Sequence, residues 1–139
     1  MKKTMLLLIL FIFNILCSQS REYQFKFDAK KFRKEFIRGK KQPLQLRIFD
    51  LNGKELIFNV FESSISEQPI QNINTFKGIS VDGTKKITFI LTQTAISGSY
   101  SDKETEVYFN PVINKKCTYK VYIPINTHPG QEQDFLKDR

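Results

Sequence analysis

The residues able to do chemistry in this chain are few, and most stand alone. His128 is the one histidine, beside Pro129 in a polar C-terminal stretch. A zinc hydrolase of the His-Glu-x-x-His kind needs two histidines one helical turn apart and a general base, so that chemistry is excluded within this chain. His128 reads as a surface residue of a tail. Ser97 and Ser99 flank Gly98, but an activated serine needs a histidine and a carboxylate within hydrogen-bond reach. They read as serines of strand and turn. Glu104 and Glu106 stand two apart, which would place them on one face of a strand as a carboxylate pair. Solvent-facing positions on an edge strand account for them more simply. The six glycines are isolated, leaving no phosphate-cradling loop, and no Cys-x-x-Cys pair occurs. No catalytic residue, metal ligand or cofactor site is assigned.

One run of charge stands out. Lys30, Lys31, Arg33, Lys34, Arg38, Lys40 and Lys41 are accompanied by a single acid, Glu35, whereas the rest of the chain after residue 20 carries thirteen basic and thirteen acidic groups. The basicity is therefore a local patch, a candidate for docking a partner. A solvated helix face, an acidic protein surface and lipid headgroups all fit it. A single-strand nucleic-acid reader would interleave exposed aromatics with its cations. The aromatics here alternate as core residues, and the N-terminus directs the chain to export, so nucleic acid is set aside.

That N-terminus has Lys2 and Lys3 before an apolar run from Met5 to Leu16. About twelve residues is the length of a signal-peptide core and too short to span a bilayer, which takes roughly 18–20. Ser18 and Ser20 supply the small residues of a cleavage site, placing the cut after Ser20. Cys17 follows the apolar core as a lipidated cysteine would, but Leu16 fills the place where lipoproteins carry a small residue. A cysteine discarded with the signal is the reading preferred to a lipoprotein. The mature chain would then be secreted, periplasmic or on the cell surface, with no transmembrane span. It would keep one thiol, Cys117, and so no internal disulfide.

The elements that must position these residues are mostly strands. Tyr23, Phe25 and Phe27 alternate with polar neighbours, the period of a half-buried strand. Asp28 caps a short helix in which Phe32 and Phe36 share a face, Phe27 and Phe32 form a staple, and Gly39 stops the turn. Leu44, Leu46 and Ile48 alternate up to Asn52-Gly53, a strong hairpin signal, and Leu56, Phe58 and Val60 return. The stretch from Glu62 to Asn74 reads as a loop. Strands are expected at Thr75 to Val81, at Lys86 to Thr94 with Ile87, Phe89 and Leu91 on one face, and at Glu104 to Phe109, ended by Pro111. Ala95 to Tyr100 is expected to continue the fifth strand extended, with Gly98 as a bulge. The last strand, Thr118 to Ile123, puts Tyr119, Val121 and Ile123 on one face. The core is expected to hold Phe25, Phe27, Leu46, Ile48, Phe58, Val60, Phe76, Phe89, Leu91, Val107, Phe109 and Val121. The fold class is mainly β, an antiparallel sandwich or partly rolled sheet with one short helix near the mature N-terminus. The organisation is residues 1–20 as signal peptide, 21–123 as the β domain and 124–139 as a polar linker or tail.

Several segments taken in order carry a resemblance. They are the Asn52-Gly53 hairpin, Phe58-Asn59-Val60-Phe61-Glu62-Ser63, Thr75-Phe76-Lys77-Gly78, the Ile87 to Thr92 strand, Val107-Tyr108-Phe109-Asn110-Pro111 and Tyr119-Lys120-Val121-Tyr122. Together, over Leu44 to Ile123, they resemble the N-terminal pro-region of secreted bacterial reprolysin-like zinc metalloproteases. The resemblance implies a non-catalytic pro-domain-like module, a folding aid and inhibitor whose partner is a zinc metalloprotease catalytic domain carried elsewhere. Some relatives of that family silence the protease with a pro-region cysteine on zinc. Cys117 could be cast in that role, but Lys115-Lys116-Cys117-Thr118 is not a familiar switch motif, and a strand-edge cysteine is the plainer reading. The alternative function is a stand-alone exported adhesion or ligand-binding module on the same scaffold.

Overall fold

The computed structural model describes residues 21–39, 43–63 and 70–124. The proposed signal peptide, Cys17, Lys40, Lys41 and His128 lie outside the described residues. In chain order the elements are β1 (Glu22–Lys26), α1 (Ala29–Ile37), β2 (Leu44–Phe49), β3 (Glu55–Glu62), β4 (Asn74–Ser80), β5 (Lys86–Leu91), β6 (Ile96–Asp102), β7 (Thr105–Pro111) and β8 (Thr118–Tyr122). The eight strands form one antiparallel sheet in the order β1-β8-β7-β6-β5-β4-β3-β2, curled into a half-barrel. Of the two architectures expected from sequence, the partly rolled sheet is the one found. Strands β2 to β8 are a meander, and β1 is carried round to pair with β8, from Glu22 opposite Tyr122 to Lys26 opposite Thr118.

The period-two alternation becomes an inner and an outer face. Leu46, Ile48, Phe58, Val60, Phe76, Phe89, Leu91, Ile96, Tyr100, Phe109 and Val121 are all essentially inaccessible. Phe76 and Phe89 stack with centroids 5.0 Å apart, and Phe32 meets both rings edge-on at 5.9 and 6.0 Å. Tyr119 reaches inward from β8, where its hydroxyl accepts the Ile96 backbone N–H at 3.3 Å. The inside of the curl is thus packed with side chains, each contributing about 1.5–3 kcal/mol of burial free energy. Phe27 departs from the expected core. It is only partly buried, because β1 ends at Lys26 and Phe27 lies at the entry to the helix. The last strand is one residue shorter than expected, ending at Tyr122, and Ile123 lies exposed just beyond it.

Helix α1 forms where its caps dictate. The Asp28 carboxylate accepts the Lys31 backbone N–H at 3.0 Å, Phe27 and Phe32 lie 6.0 Å apart as the staple, and Gly39 takes φ +62°. Ala29 and Phe32 are buried, and Phe36 meets Phe76 at 5.1 Å, so the helix closes one end of the curl.

Two expectations about β6 are corrected. The chain does not run on through Ala95: it reverses at Thr92–Ala95, where the Thr92 N–H donates to the Ala95 carbonyl at 2.9 Å. The Thr92 hydroxyl oxygen accepts the Ala95 N–H at 3.1 Å, a side chain standing in for turn backbone. Gly98 is not a bulge. It sits in register between Phe89 and Phe109, and a Cβ there would collide with the Thr88 carbonyl and Phe89. The glycine leaves room for the backbone of Thr88 and Phe89 to pass this close.

The free edges, β1 and β2, face each other without a ladder. Side chains close this seam. The Phe49 ring lies 6.0 Å from Tyr23 and 5.6 Å from Phe25, and Tyr23 covers Gly53 at the β2–β3 turn. Covering an edge in this way withholds it from other chains.

Candidate functional site

Because the strands alternate in direction, β1, β3, β5 and β7 all end on one side. Helix α1, the β5–β6 turn and the β7–β8 turn therefore share one end of the barrel. The structure spreads the basic patch over this end. Lys30, Lys31, Lys34 and Arg38 are exposed along α1. Arg33 is half-buried, and its Nη1 donates to the Thr92 carbonyl at 3.3 Å, so it braces the helix on the β5–β6 turn.

Sequence spacing gave no sign of what joins them. The Phe27 N–H donates to the Cys117 carbonyl at 3.0 Å, which holds the β7–β8 turn against the start of the helix. That contact brings Lys115 and Lys116 to the patch across some ninety residues of chain. Lys26 Nζ donates to the Thr118 hydroxyl at 2.7 Å and to the Lys116 carbonyl at 3.3 Å, and Lys115 Nζ donates to Gln24 Oε1 at 3.3 Å. The adjacent lysines 115 and 116 were the only available signal, and their placement needed the β1–β8 pairing.

The charge sign is informative. The first turn of α1 carries no acidic residue, and Lys30 and Lys31 stand at the positive end of the helix macrodipole. Cations there cost a helix about 0.3–1 kcal/mol, whereas Lys34, in the last turn, is favourable. Helix stability therefore accounts for Lys34 but not for Lys30 and Lys31. The ion pairs among the described residues fall elsewhere: Arg47–Glu55, Lys85–Asp102 and Lys120–Glu22. The acids gather at the opposite end. Asp50 accepts the N–H groups of Asn52 and Lys54, both at 2.8 Å. The Ser80 hydroxyl, then the Thr84 N–H and hydroxyl, hold the Asp82 carboxyl well below the usual carboxylate range. Asp102 and Glu104 complete that end.

The remaining candidates do not converge. Cys117 is exposed in the β7–β8 turn with φ +52°, and no histidine falls among the described residues. Glu104 occupies the β6–β7 turn rather than a strand, so it does not share a face with Glu106. The latter accepts the Ser99 hydroxyl at 2.6 Å across the sheet. Among the described residues no three His, Cys, Asp or Glu side chains gather into a metal-binding group, and no helix is long and apolar enough to cross a membrane. A separate groove lies on the outer face of β3 to β5, lined by Phe61, Lys77, Ile79, Lys86 and Thr88, with Lys77 in register between Phe61 and Thr88. Comparisons with family models, curated proteins and solved structures returned no match.

Proposed function

We propose that this chain is a non-catalytic exported module that works by docking, as a pro-domain-like folding aid and inhibitor of a zinc metalloprotease catalytic domain. The observation that carries the docking is the gathering of lysines from α1 and the β7–β8 turn at one end, with Lys30 and Lys31 placed against the helix dipole. An acidic rim on the partner's cleft is the complement of such an end. The protease as partner rests on the resemblance over Leu44 to Ile123. The outer-face groove at Phe61 and Ile79 favours a second reading, a stand-alone exported adhesion or ligand-binding module that presents this groove to its ligand.

The test is a titration of a zinc protease encoded beside this chain with the separate domain. Inhibition is expected, weakening as salt rises, because exposed charges are screened over about 10 Å at 0.1 M ionic strength. Lys30→Glu with Lys34→Glu should slow association without unfolding the domain. Absence of inhibition by the wild type rejects the pro-domain role, and inhibition unchanged by reversal or salt rejects the basic end as its basis.

A further inference from the structure

The aromatic cover of the β1–β2 seam ends where Phe49 meets Tyr23 and Phe25. On the helix side of Phe49 a cavity of about 480 Å³ lies between the two strands, with Lys26 and Phe27 on one wall and Gln45 and Arg47 on the other. The register shows what these walls present. In an antiparallel ladder, residues that exchange backbone hydrogen bonds with the partner strand alternate with residues whose N–H and C=O point the other way. The Phe27 N–H donates to the Cys117 carbonyl, so Phe25 and Tyr23 bond β8 while Gln24 and Lys26 turn their backbone groups toward the seam. The Asp50 N–H donates to the Lys54 carbonyl, so Ile48, Leu46 and Leu44 bond β3 while Gln45 and Arg47 turn theirs toward the seam from the other side. Among the described residues no ladder or turn bond takes up these edge groups.

Two strand edges facing each other across a cavity have one common complement, the backbone of an extended chain, which carries donors and acceptors on both its sides. The rest of the lining suits its side chains. Phe27, Phe32 and Phe49 give an apolar wall, and the charges balance, Lys26, Lys31 and Arg47 against Asp28, Glu35 and Glu55. That balance favours no ionic ligand. We propose that the open half of the seam is a strand-addition site for an uncharged extended segment of another protein. The segment inserts between β1 and β2, bonds both edges and sets an apolar side chain against Phe27 and Phe49. This site depends neither on the basic end nor on the outer-face groove.

The experiment follows backbone amide exchange by NMR in the whole domain as capped peptides are added, alternating threonine with valine, leucine or phenylalanine. The Lys26, Gln45 and Arg47 amides are expected to exchange fast in the free domain and to gain protection with peptide, equally at low and high salt. Every N–H of an inserted strand faces one edge or the other. N-methylation at either of two consecutive central residues should therefore weaken binding roughly tenfold, by removing a donor and leaving an edge carbonyl unpaired. Arg47→Pro removes an edge N–H that makes no bond to β3, so the fold should hold while affinity drops by a similar factor. If that variant unfolds, the N-methyl series still decides. No protection by any of the peptides overturns the proposal, and so does protection already present in the free domain, which would mean that the chain fills its own seam. Sensitivity to N-methylation at alternate residues only would mark addition to a single edge and overturn insertion. Binding that salt abolishes would assign the peptide to the basic end instead. None of these readouts involves the protease, so this inference and the pro-domain reading fail separately.

Discussion

Tyr100 lies in the middle of β6 with its ring 5.9 Å from Phe58, almost wholly shielded from water. Burial pushes its phenol well above the ordinary range, and the carboxylates of Asp50 and Asp102 push the same way. Tyr119 is raised too, chiefly by burial, against the opposing effect of the Ile96 N–H. A folded-state pKa above the unfolded value means stability that is complete below the unfolded pKa, about 10 for tyrosine, and is lost as pH rises beyond it. Urea midpoints should therefore fall as pH climbs past about 10, and Tyr100→Phe should make that fall shallower. An identical alkaline slope in the variant would show that Tyr100 ionises as easily folded as unfolded. Burial at Tyr100 was not among the core residues read from sequence, because Ser97 to Ser101 is small and polar around it. Neighbouring β5 and β7, supplying Ile87 and Val107 opposite Tyr100, make that position part of the core.

The β2–β3 hairpin and the seam beside it are coupled through one residue. Gly53 has φ +78°, and a Cβ there would lie 2.8 Å from a ring carbon of Tyr23, which packs on Phe49 across the seam. Gly53→Ala should cost about 1–2 kcal/mol for the left-handed backbone alone, with more from moving the ring. The added signature is faster amide hydrogen exchange along β1, distant in sequence from the change. A purely local turn effect would leave β1 protection intact. The turn itself was legible, because Asn52-Gly53 between alternating apolar runs encodes a hairpin locally. The helix was legible for a similar reason, since Asp28, Phe27, Phe32 and Gly39 act within one or two turns. The β5–β6 reversal was not. Thr92-Gln93-Thr94-Ala95 contains none of the usual turn residues, and the Thr92 hydroxyl supplies the missing geometry. The seam and the turn lysines were hidden because both depend on β1 meeting β8, a pairing that no local pattern announces.

For the whole molecule, β1 begins at Glu22, directly after the proposed cut at Ser20. Processing is thus expected to leave a mature N-terminus between Gln19 and Glu22, read by mass spectrometry of the exported protein. An intact Met1 or a lipid on Cys17 would contradict it, and a cut deeper than Glu22 would shorten the strand that completes the sheet. That completing pair has a further consequence, for the order of events during synthesis. Lys26 pairs with Thr118 and Glu22 with Tyr122, so among the described residues the first strand has its one ladder partner in the last. The entropy of closing so long a loop must be met before these contacts can form, so this pair closes late, whereas β2 to β8 each find a partner in a neighbouring strand of the sequence. Until Thr118 to Tyr122 has left the ribosome, β1 has no ladder to join, and the covering aromatics Tyr23 and Phe25 lack the β8 side of their packing. The meander can pair strand by strand as it is made, and the β1–β8 ladder acts as a timer that holds the final closure until the whole domain exists.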